Sequence, residues 1–344
     1  MTDPARGPTP PAPSAGPAPS RTAPLPRRAA SSGFFRSREL SLALVIAAAF
    51  AVLWILKGGI FFSLKNFEGI ATGIVYDLLM AAGMTVVLIL WGIDLSVGAV
   101  LALTSVVAAM MMHAKVAIAP SVAAGLLCAL AIGAVNGACV AYLRIAPFIV
   151  TLAAMSVARG AALVLSSGYF VSGLPPAYSM ISEGRLGGIP VPYLLVAVVL
   201  LTLHLLLRRW RFLHQAFYVG TNPAAAALSG INASLVTFVG YLISALTAGI
   251  AAILMSSKLA MGFSQFGQLA ELRAIAAAVI GGASFTGGSG SILGATLGVI
   301  LIAIINNGFV LLHGSPNWQQ AVSGIILLVA VGVDAVRTRR ERRD

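Results

Sequence analysis

An aspartate surrounded by apolar residues is the side chain of this sequence whose position most demands an explanation. Asp94 lies within WGIDLSVG, and Gly92 and Gly98 flank it. A carboxylate in apolar surroundings is costly unless donors reach it, and the two glycines would let a helix break and present backbone amides. Asp94 and Ser96 could also cap a helix that begins near Leu95. Two interpretations stay open, a helix cap and a gate on a solute path.

A second candidate is the run LAELRAIAAAVIGGASFTGGSG. We expect Glu271 at the start of an apolar span, where water is near and a charge costs less. Downstream, Gly281, Gly282 and Ser284 indicate a flexible break between two apolar segments. The glycine-rich part approaches the phosphate-binding loop G-x-x-x-x-G-K-[ST], but Gly288 stands at the lysine position and no strand precedes it. Nucleotide binding is therefore not expected here.

The segment GTNPAAAALSGI predicts a short helix on the surface. Asn222 can cap this helix, Pro223 suits its first position, and Gly230 ends it. Between two apolar stretches, such a segment is either a plain linker or a helix displayed to a groove on a partner protein.

We expect neither a catalytic nor a metal site in this chain. The four histidines, His113, His204, His214 and His313, lack ligand spacing and have no cysteine or carboxylate cluster beside them. The motifs G-x-S-x-G and H-E-x-x-H and the Walker lysine do not occur, and no cofactor is expected. The chain is not predicted to be an enzyme, so energy for its work must come from another chain.

Composition identifies the elements that must position these residues. The chain has 344 residues, of which 59% are hydrophobic and 9% charged, and its mean hydropathy is +0.96. Soluble domains carry about 25% charged residues, so this chain lacks the polar shell that water requires. Apolar stretches of membrane length predict about ten transmembrane helices, including one at 269–283 and a last one at 316–334. The predicted fold class is an all-α polytopic membrane protein.

The basic residues predict orientation and tails. Fifteen of the 22 Lys and Arg residues fall in terminal segments and connections that we place on one side, which predicts that both termini are cytoplasmic. Residues 1–38 are expected to be a disordered Pro/Ala/Arg-rich cytoplasmic tail, 39–336 the transmembrane domain, and 337–344 a basic cytoplasmic tail. The net charge of +12 suits the anionic lipid of a bilayer and not a nucleic acid.

Four motifs follow one another along the chain: GIDLSVG, GTNPAAAALSGI, ELRAIAAAVIGGASFTGGSG and NNG. In this order they resemble the permease subunits of ribose-type ABC importers, and the similarity extends from about Phe67 to the C-terminus. The resemblance implies a multi-pass protein of the bacterial inner membrane that pairs with a second permease copy, identical or a close paralogue. It also implies a cytoplasmic ABC ATPase and a periplasmic substrate-binding protein as partners, and a sugar or sugar-like solute as cargo.

The resemblance also suggests roles for particular residues. It implies that an ATPase-coupling helix is formed by Gly220, Asn222, Ala225, Ser229 and Gly230. We assign the translocation path or its gate to Gly92, Asp94, Ser96, Gly98, Glu271, Gly281, Gly282 and Ser284. The chain departs from the family pattern at Pro223, where an acidic residue is usual there or next to it, and at Arg273, where aspartate is frequent. These departures affect the coupling contacts and the electrostatics of the path or of the binding-protein contact.

An ion-coupled secondary transporter of small polar solutes is the alternative function. It would need ionisable side chains within the membrane to couple an ion gradient, and the candidates are Asp77, Asp94, Arg159, Glu271 and Arg273. This set is thin for a proton relay, and the coupling-helix motif has no role in such a transporter.

Overall fold

The computed structural model of the chain describes residues 32–314 and, beyond them, the positions Ala321, Gly324, Ile325, Leu328 and Gly332. Residues 1–31, the basic segment 337–344 and, apart from those five positions, the span expected at 316–334 lie outside the described residues. Residues 32–38, which we expected in the N-terminal tail, form the start of the first helix.

The described part is almost entirely helical. Its α-helices are α1 (Ser32–Phe61), α2 (Leu64–Ile89), α3 (Val97–His113), α4 (Ile118–Ala141), α5 (Pro147–Leu165), α6 (Met180–Glu183), α7 (Val191–Arg209), α8 (Arg211–Thr221), α9 (Pro223–Leu228), α10 (Ala233–Leu259), α11 (Ala270–Ile280) and α12 (Ile292–Leu311). A 3-10 helix at Pro176–Ser179 and an antiparallel hairpin of two short strands, β1 (Arg185–Leu186) and β2 (Ile189–Pro190), precede α7.

Within the part of the chain that the structure describes, seven helices are long and apolar enough to cross a membrane: α1 from Glu39 onward, α2, α4, α5, α7, α10 and α12. The apolar helix α3 has 17 residues. Helix α11 has 11 residues, which gives it about 16 Å, roughly half of the ~30 Å hydrocarbon core. The full span expected at 269–283 is therefore a half-length helix. The all-α polytopic class is confirmed, with the hairpin as a small addition.

Glycines bring the central helices into close contact. Helix α10 packs on α2, α3 and α4, and a β-carbon at Gly137 of α4 would lie 2.9 Å from the carbonyl oxygen of Phe238 in α10. Small residues drive helix association in lipid because backbones can then approach one another. The pair Gly69 and Gly73 of α2 differs, since nothing in the described chain lies within 4 Å of a β-carbon at either position.

The two ends of the bundle carry different connections. We call the end with α8 and α9 the α9 end, and the end with the two-stranded hairpin the hairpin end. At the hairpin end, Tyr178 is fully buried, its hydroxyl donates to the carbonyl of Ile253 at 3.1 Å, and Ser257 donates to the Tyr178 carbonyl at 2.8 Å. The connection between α5 and α7 is thus anchored on α10.

Candidate functional site

Asp94 lies in the connection between α2 and α3, where the chain leaves helical geometry, and is 1% exposed. Its Oδ1 accepts hydrogen bonds from the N–H of Ser96 at 2.9 Å and from the Ser96 hydroxyl at 2.6 Å. Its Oδ2 accepts one from the hydroxyl of Ser244 in α10 at 2.8 Å. Asn136 of α4 donates to the Ser96 hydroxyl at 2.9 Å. Hydroxyl and amide donors therefore stabilise the carboxylate and tie the helix break to α4 and α10.

Neither Asp94 nor Ser96 makes a side-chain cap bond to α3, which begins at Val97. Asp94 accepts the N–H of Ser96, one residue ahead of that helix, and the Ser96 side chain makes no cap bond to it. The Ser96 hydroxyl instead donates to Asp94 and accepts from Asn136. The break is thus stabilised by its tertiary contacts as well as by local turn geometry.

A backbone carbonyl of the same break also accepts hydrogen bonds from side chains of other helices. The carbonyl of Ile93 accepts hydrogen bonds from Tyr241 of α10 at 3.4 Å and from Thr151 of α5 at 3.3 Å. A β-carbon at Gly92 would lie 2.6 Å from the Tyr241 hydroxyl. A side chain at this position would displace the Tyr241 hydroxyl from the Ile93 carbonyl.

The segment between α10 and α11 runs into the bundle without forming a helix. Near the hairpin end, Gly262 exchanges two backbone hydrogen bonds with Val171, of 2.9 and 2.8 Å. Deeper in the bundle, Arg159 of α5 donates from Nη1 to the carbonyls of Ser264 and Phe266, each at 2.7 Å. Carbonyls at membrane depth need internal partners, and the guanidinium supplies them where helical bonds are missing.

Gly98 brings the two broken regions into backbone contact. It lies in the first turn of α3, where a β-carbon would overlap the carbonyl oxygen of Gly267 and lie 2.6 Å from Oε2 of Glu271. Gly267 has φ of +66°, a conformation that favours glycine. The start of α3 and the segment that leads into α11 therefore form one structural unit.

The expected position of Glu271, near water at the start of a span, is wrong. This glutamate is 8% exposed, and its Oε2 has no hydrogen-bond partner among the described residues. Helix α11 begins inside the bundle, so the residue does not lie at a water-exposed start of a span. Arg273, two residues further on, forms an ion pair with Asp77 of α2, with 3.4 Å between Nε and Oδ1.

The turn between α11 and α12 is closely packed, although the sequence indicated a flexible break. Gly281 and Gly294 contact each other so closely that a β-carbon on either would overlap the backbone of the other. Gly282 has φ of +105°. Ser284 is buried, and its hydroxyl is hydrogen-bonded to that of Thr286 at 2.9 Å.

Three backbone segments meet at the α9 end. The N–H of Gly288 donates to the carbonyl of Ile89 at 2.9 Å. A β-carbon at Gly220 of α8 would overlap that carbonyl and lie 2.7 Å from the Gly288 nitrogen. A β-carbon at Gly287 would lie 2.6 Å from the carbonyl oxygen of Gly220. We call the contact of Ile89, Gly220, Gly287 and Gly288 the glycine junction.

Helix α9 is displayed beside this junction, as the sequence predicted. Asn222 caps it by accepting the N–H of Ala225 at 3.0 Å, Pro223 is its first residue, and Gly230 follows it with φ of +81°. The exposed members of the predicted coupling segment are Asn222, Ala225, Ser229 and Gly230. Gly220 differs, because it belongs to α8 and is buried in the glycine junction.

A polar cavity of 510 Å³ lies at the hairpin end, between α2, α7 and α10. Its hydrogen-bonding side chains include Glu68, Thr72, Tyr76, Arg185, Tyr193 and Lys258. The hydroxyls of Thr72 and Tyr193 are hydrogen-bonded to each other at 2.9 Å. Hydroxyl, carboxylate and cationic groups beside aromatic rings can bind a small polar solute.

Several residues of these sites were not predicted as site residues. They are Arg159, which holds the segment before α11, and Asn136, Thr151, Tyr241 and Ser244, which complete the first break. Each is a polar residue in a long apolar helix, and such residues face the interior of a helix bundle. That signal marks them as buried, but their partners lie far away in the sequence. Among the described residues, no group of three or more His, Cys, Asp and Glu side chains could hold a metal ion.

Membrane-length helices, two interrupted regions joined by buried polar contacts and an exposed short helix are the architecture of a membrane transport protein. Residues 66–331 match the family described as "Branched-chain amino acid transport system / permease component". The chain belongs to this family. It is an ABC-type transport permease and a multi-pass protein of the bacterial inner membrane, not itself an enzyme.

Curated relatives extend over most of the chain. The chain is 37% identical to the ribose import permease protein RbsC of Escherichia coli K12, over 80% of this chain and 87% of the relative. It is 38% identical to RbsC of Bacillus subtilis, over 74% and 80%. It is 31% identical to the galactose/methyl galactoside import permease protein MglC of Escherichia coli K12, over 89% and 96%. No solved structure gives a significant match. The resemblance to ribose-type permeases is thus confirmed.

Proposed function

We propose that this chain forms the membrane path of an importer for a sugar or sugar-like solute. A substrate-binding protein delivers the solute, and a separate ABC ATPase docks on α9. The observation that carries the proposal is the glycine junction. There α8, which leads directly into the exposed α9, touches the end of α2, where the break around Asp94 begins, and the turn between α11 and α12. A push on α9 would therefore reach the first break and the end of α11 through backbone contacts.

The solute class is supported by two observations. The relatives are named as importers of ribose and of galactose or methyl galactoside, although the family description names branched-chain amino acids. The cavity at the hairpin end is lined by Glu68, Thr72, Tyr76, Tyr193 and Lys258. Paired hydroxyl and charged groups suit the many hydroxyls of a sugar, whereas a branched aliphatic side chain would need an apolar pocket.

The orientation follows from docking and from charge. An ATPase is cytoplasmic, so the α9 end faces the cytoplasm, and the hairpin end faces the binding protein. The exposed apolar residues Tyr169, Phe170 and Leu186 lie at the hairpin end and offer a contact surface to that protein. We further propose that both termini are cytoplasmic, with about ten spans between them in a domain at 39–336, which the arginine-rich composition of 1–38 and 337–344 supports.

A second permease copy completes the path. Gly69 and Gly73 of α2 leave open space next to Glu68 and Thr72 of the polar cavity. A helix of another copy could approach α2 closely at these glycines and close the cavity on its open side. We propose that the gate of the solute path has two halves. The first half comprises Gly92, Asp94, Ser96 and Gly98 of the break between α2 and α3. The second half comprises Glu271, Gly281, Gly282 and Ser284.

Reconstitution tests the function directly. The permease, its ATPase and its binding protein are placed in proteoliposomes, and uptake of labelled ribose, galactose and leucine is measured with and without ATP. We expect uptake of a sugar that needs all three proteins and ATP. Uptake driven by a proton or sodium gradient without the ATPase would contradict the proposal and support an ion-coupled transporter. ATP-dependent uptake of leucine alone would overturn the solute class only.

A further inference from the structure

A second cavity, of 630 Å³, lies at the α9 end and is lined by basic groups. Its polar lining residues are Glu39, His204, Arg208, Arg209, His214 and Ser291. These come from the start of α1, the end of α7, α8 and the start of α12. We call this space the basic cavity. It is separate from the polar cavity at the hairpin end and from the network around Asp94.

The charges of the basic cavity are unbalanced. Arg208 and Arg209 form no ion pair with a carboxylate in the described part of the chain. Among the described residues, Glu39 is the one carboxylate of the lining, and its Oε1 accepts a hydrogen bond of 3.0 Å from Ser291. Ser291 is the N-cap residue of α12, so the positive end of that helix dipole also points to this space. A group with negative charge and several acceptor oxygens fits such a lining.

The surroundings of the cavity select a lipid as the source of that group. Helix α1 packs mainly on α12, and α7 mainly on α2 and α8. Leu40 and Leu44 of α1, next to Glu39, are 62% and 63% exposed, and Leu201 and Leu205 of α7 are 58% and 43% exposed. Apolar side chains therefore flank the cavity on both helices, where acyl chains would lie. Trp210, 50% exposed at the end of α7, is an aromatic residue typical of the headgroup level.

We propose that the basic cavity binds the headgroup of an anionic phospholipid of the inner leaflet, with its phosphate on Arg208 and Arg209. Basic pockets between membrane helices at the cytoplasmic surface bind such headgroups. Gly288 and Gly290 also line this cavity, and Gly288 belongs to the glycine junction. A bound headgroup would therefore lie against the turn before α12 as well as the end of α7.

Native mass spectrometry of the detergent-purified full chain tests this site. Phosphatidylglycerol, phosphatidylcholine and inorganic phosphate are titrated separately onto the wild type and onto the double variant R208Q/R209Q. Arg211→Gln is the matched control, because Arg211 is an exposed arginine of the same connection that does not line the cavity. We expect the wild type to retain phosphatidylglycerol in preference to phosphatidylcholine. The double variant should bind it roughly tenfold more weakly, with R211Q unchanged.

A charge change of the opposite sign provides a second measurement. Glu39→Gln removes the negative group of the lining while its amide oxygen can still accept the Ser291 hydroxyl, so phosphatidylglycerol binding should strengthen about threefold. Equal binding of both lipids, or unchanged phosphatidylglycerol binding in R208Q/R209Q, would overturn the proposal. Tight binding of inorganic phosphate without lipid preference would identify a soluble anion instead. If R208Q/R209Q no longer co-purified with the ATPase but still bound the lipid, the arginines would be a protein contact and not a lipid site.

Discussion

The backbone N–H of Gly288 donates a hydrogen bond of 2.9 Å to the carbonyl of Ile89. This bond joins the turn between α11 and α12 to the end of α2, where the break around Asp94 begins. Gly220 of α8 packs on the same carbonyl. Because no flexible side chain lies between these three backbones, a displacement of α8 should move the end of α2 and the α11–α12 turn or break their contact. In the proposed function, this contact is the route by which work done on α9 reaches the membrane part.

Gly220→Ala tests the glycine junction. The new methyl group would overlap the Ile89 carbonyl, and overpacking of this kind costs about 1–3 kcal/mol. We expect ATP-dependent uptake to fall more than tenfold and the melting temperature in detergent to decrease. Gly160→Ala is the control, because nothing lies within 4 Å of a β-carbon there. Full uptake and unchanged melting of the Gly220 variant would show that the three backbones are not tightly joined.

Asp94→Asn tests the buried polar network. The substitution keeps the size of the side chain but replaces an acceptor oxygen by an amide that faces a donor hydroxyl of Ser96 or Ser244. Loss of hydrogen bonds to a charged group should lower the free energy of unfolding by about 2 kcal/mol. In the double variant D94N/S244A the loss should be smaller than the sum of the two single losses, since both act on one contact. Additive losses would contradict the Asp94–Ser244 bond.

Arg159 is expected to be needed for its geometry as well as its charge. Its Nη1 donates to two carbonyls, and Arg159→Gln would leave at least one of them without a partner at membrane depth. We expect a destabilisation of about 1–3 kcal/mol, measured by thermal unfolding in detergent. Arg159→Lys should recover only part of it, because the shorter lysine side chain does not bring its ammonium to the position of Nη1. The exposed Arg185 serves as the control, and Arg185→Gln should melt like the wild type.

Leu228→Glu tests the docking role of α9. Leu228 is 92% exposed, so the change should leave the melting temperature within about one degree of the wild type, as for exposed positions in general. Docking of an apolar side chain in a groove of the ATPase should nevertheless be lost. We expect at least tenfold weaker ATPase co-purification. Leu143→Glu, at an exposed leucine of another connection at the same end, should retain ATPase binding, and equal loss in both variants would argue against a specific contact.

Thr72→Val and Tyr193→Phe test the polar cavity. Each change removes one hydroxyl of the bonded pair with little change in volume, and one lost hydrogen bond to a solute costs about 0.5–1.5 kcal/mol. The solute concentration for half-maximal uptake should rise roughly twofold to tenfold, with the melting temperature nearly unchanged. Tyr142→Phe, at an exposed tyrosine that does not line the cavity, is the control. An unchanged uptake curve in both cavity variants would remove the cavity from the solute path.

Local patterns predicted the parts of the fold that depend on neighbouring residues. The cap of α9 by Asn222, its start at Pro223 and its end before Gly230 follow from residues within nine positions of one another. The break around Asp94 was also predicted, because glycines on both sides of a buried carboxylate disfavour a continuous helix. In contrast, a complete span was expected around Glu271. Its apolar pattern gives no sign that the preceding segment enters the bundle unwound.

The sequence by itself determines a helical membrane protein, its break around Asp94 and its exposed short helix, because hydropathy, glycine and capping residues act over short distances. Only the tertiary structure decided which polar groups pair: Asp94 with Ser244, and Arg159 with Ser264 and Phe266. It also decided that Gly220 is buried against Ile89 and not displayed with α9. The physical reason is that a polar group inside a membrane must find a partner within hydrogen-bond distance. Which group that is depends on how distant helices pack, not on the local sequence.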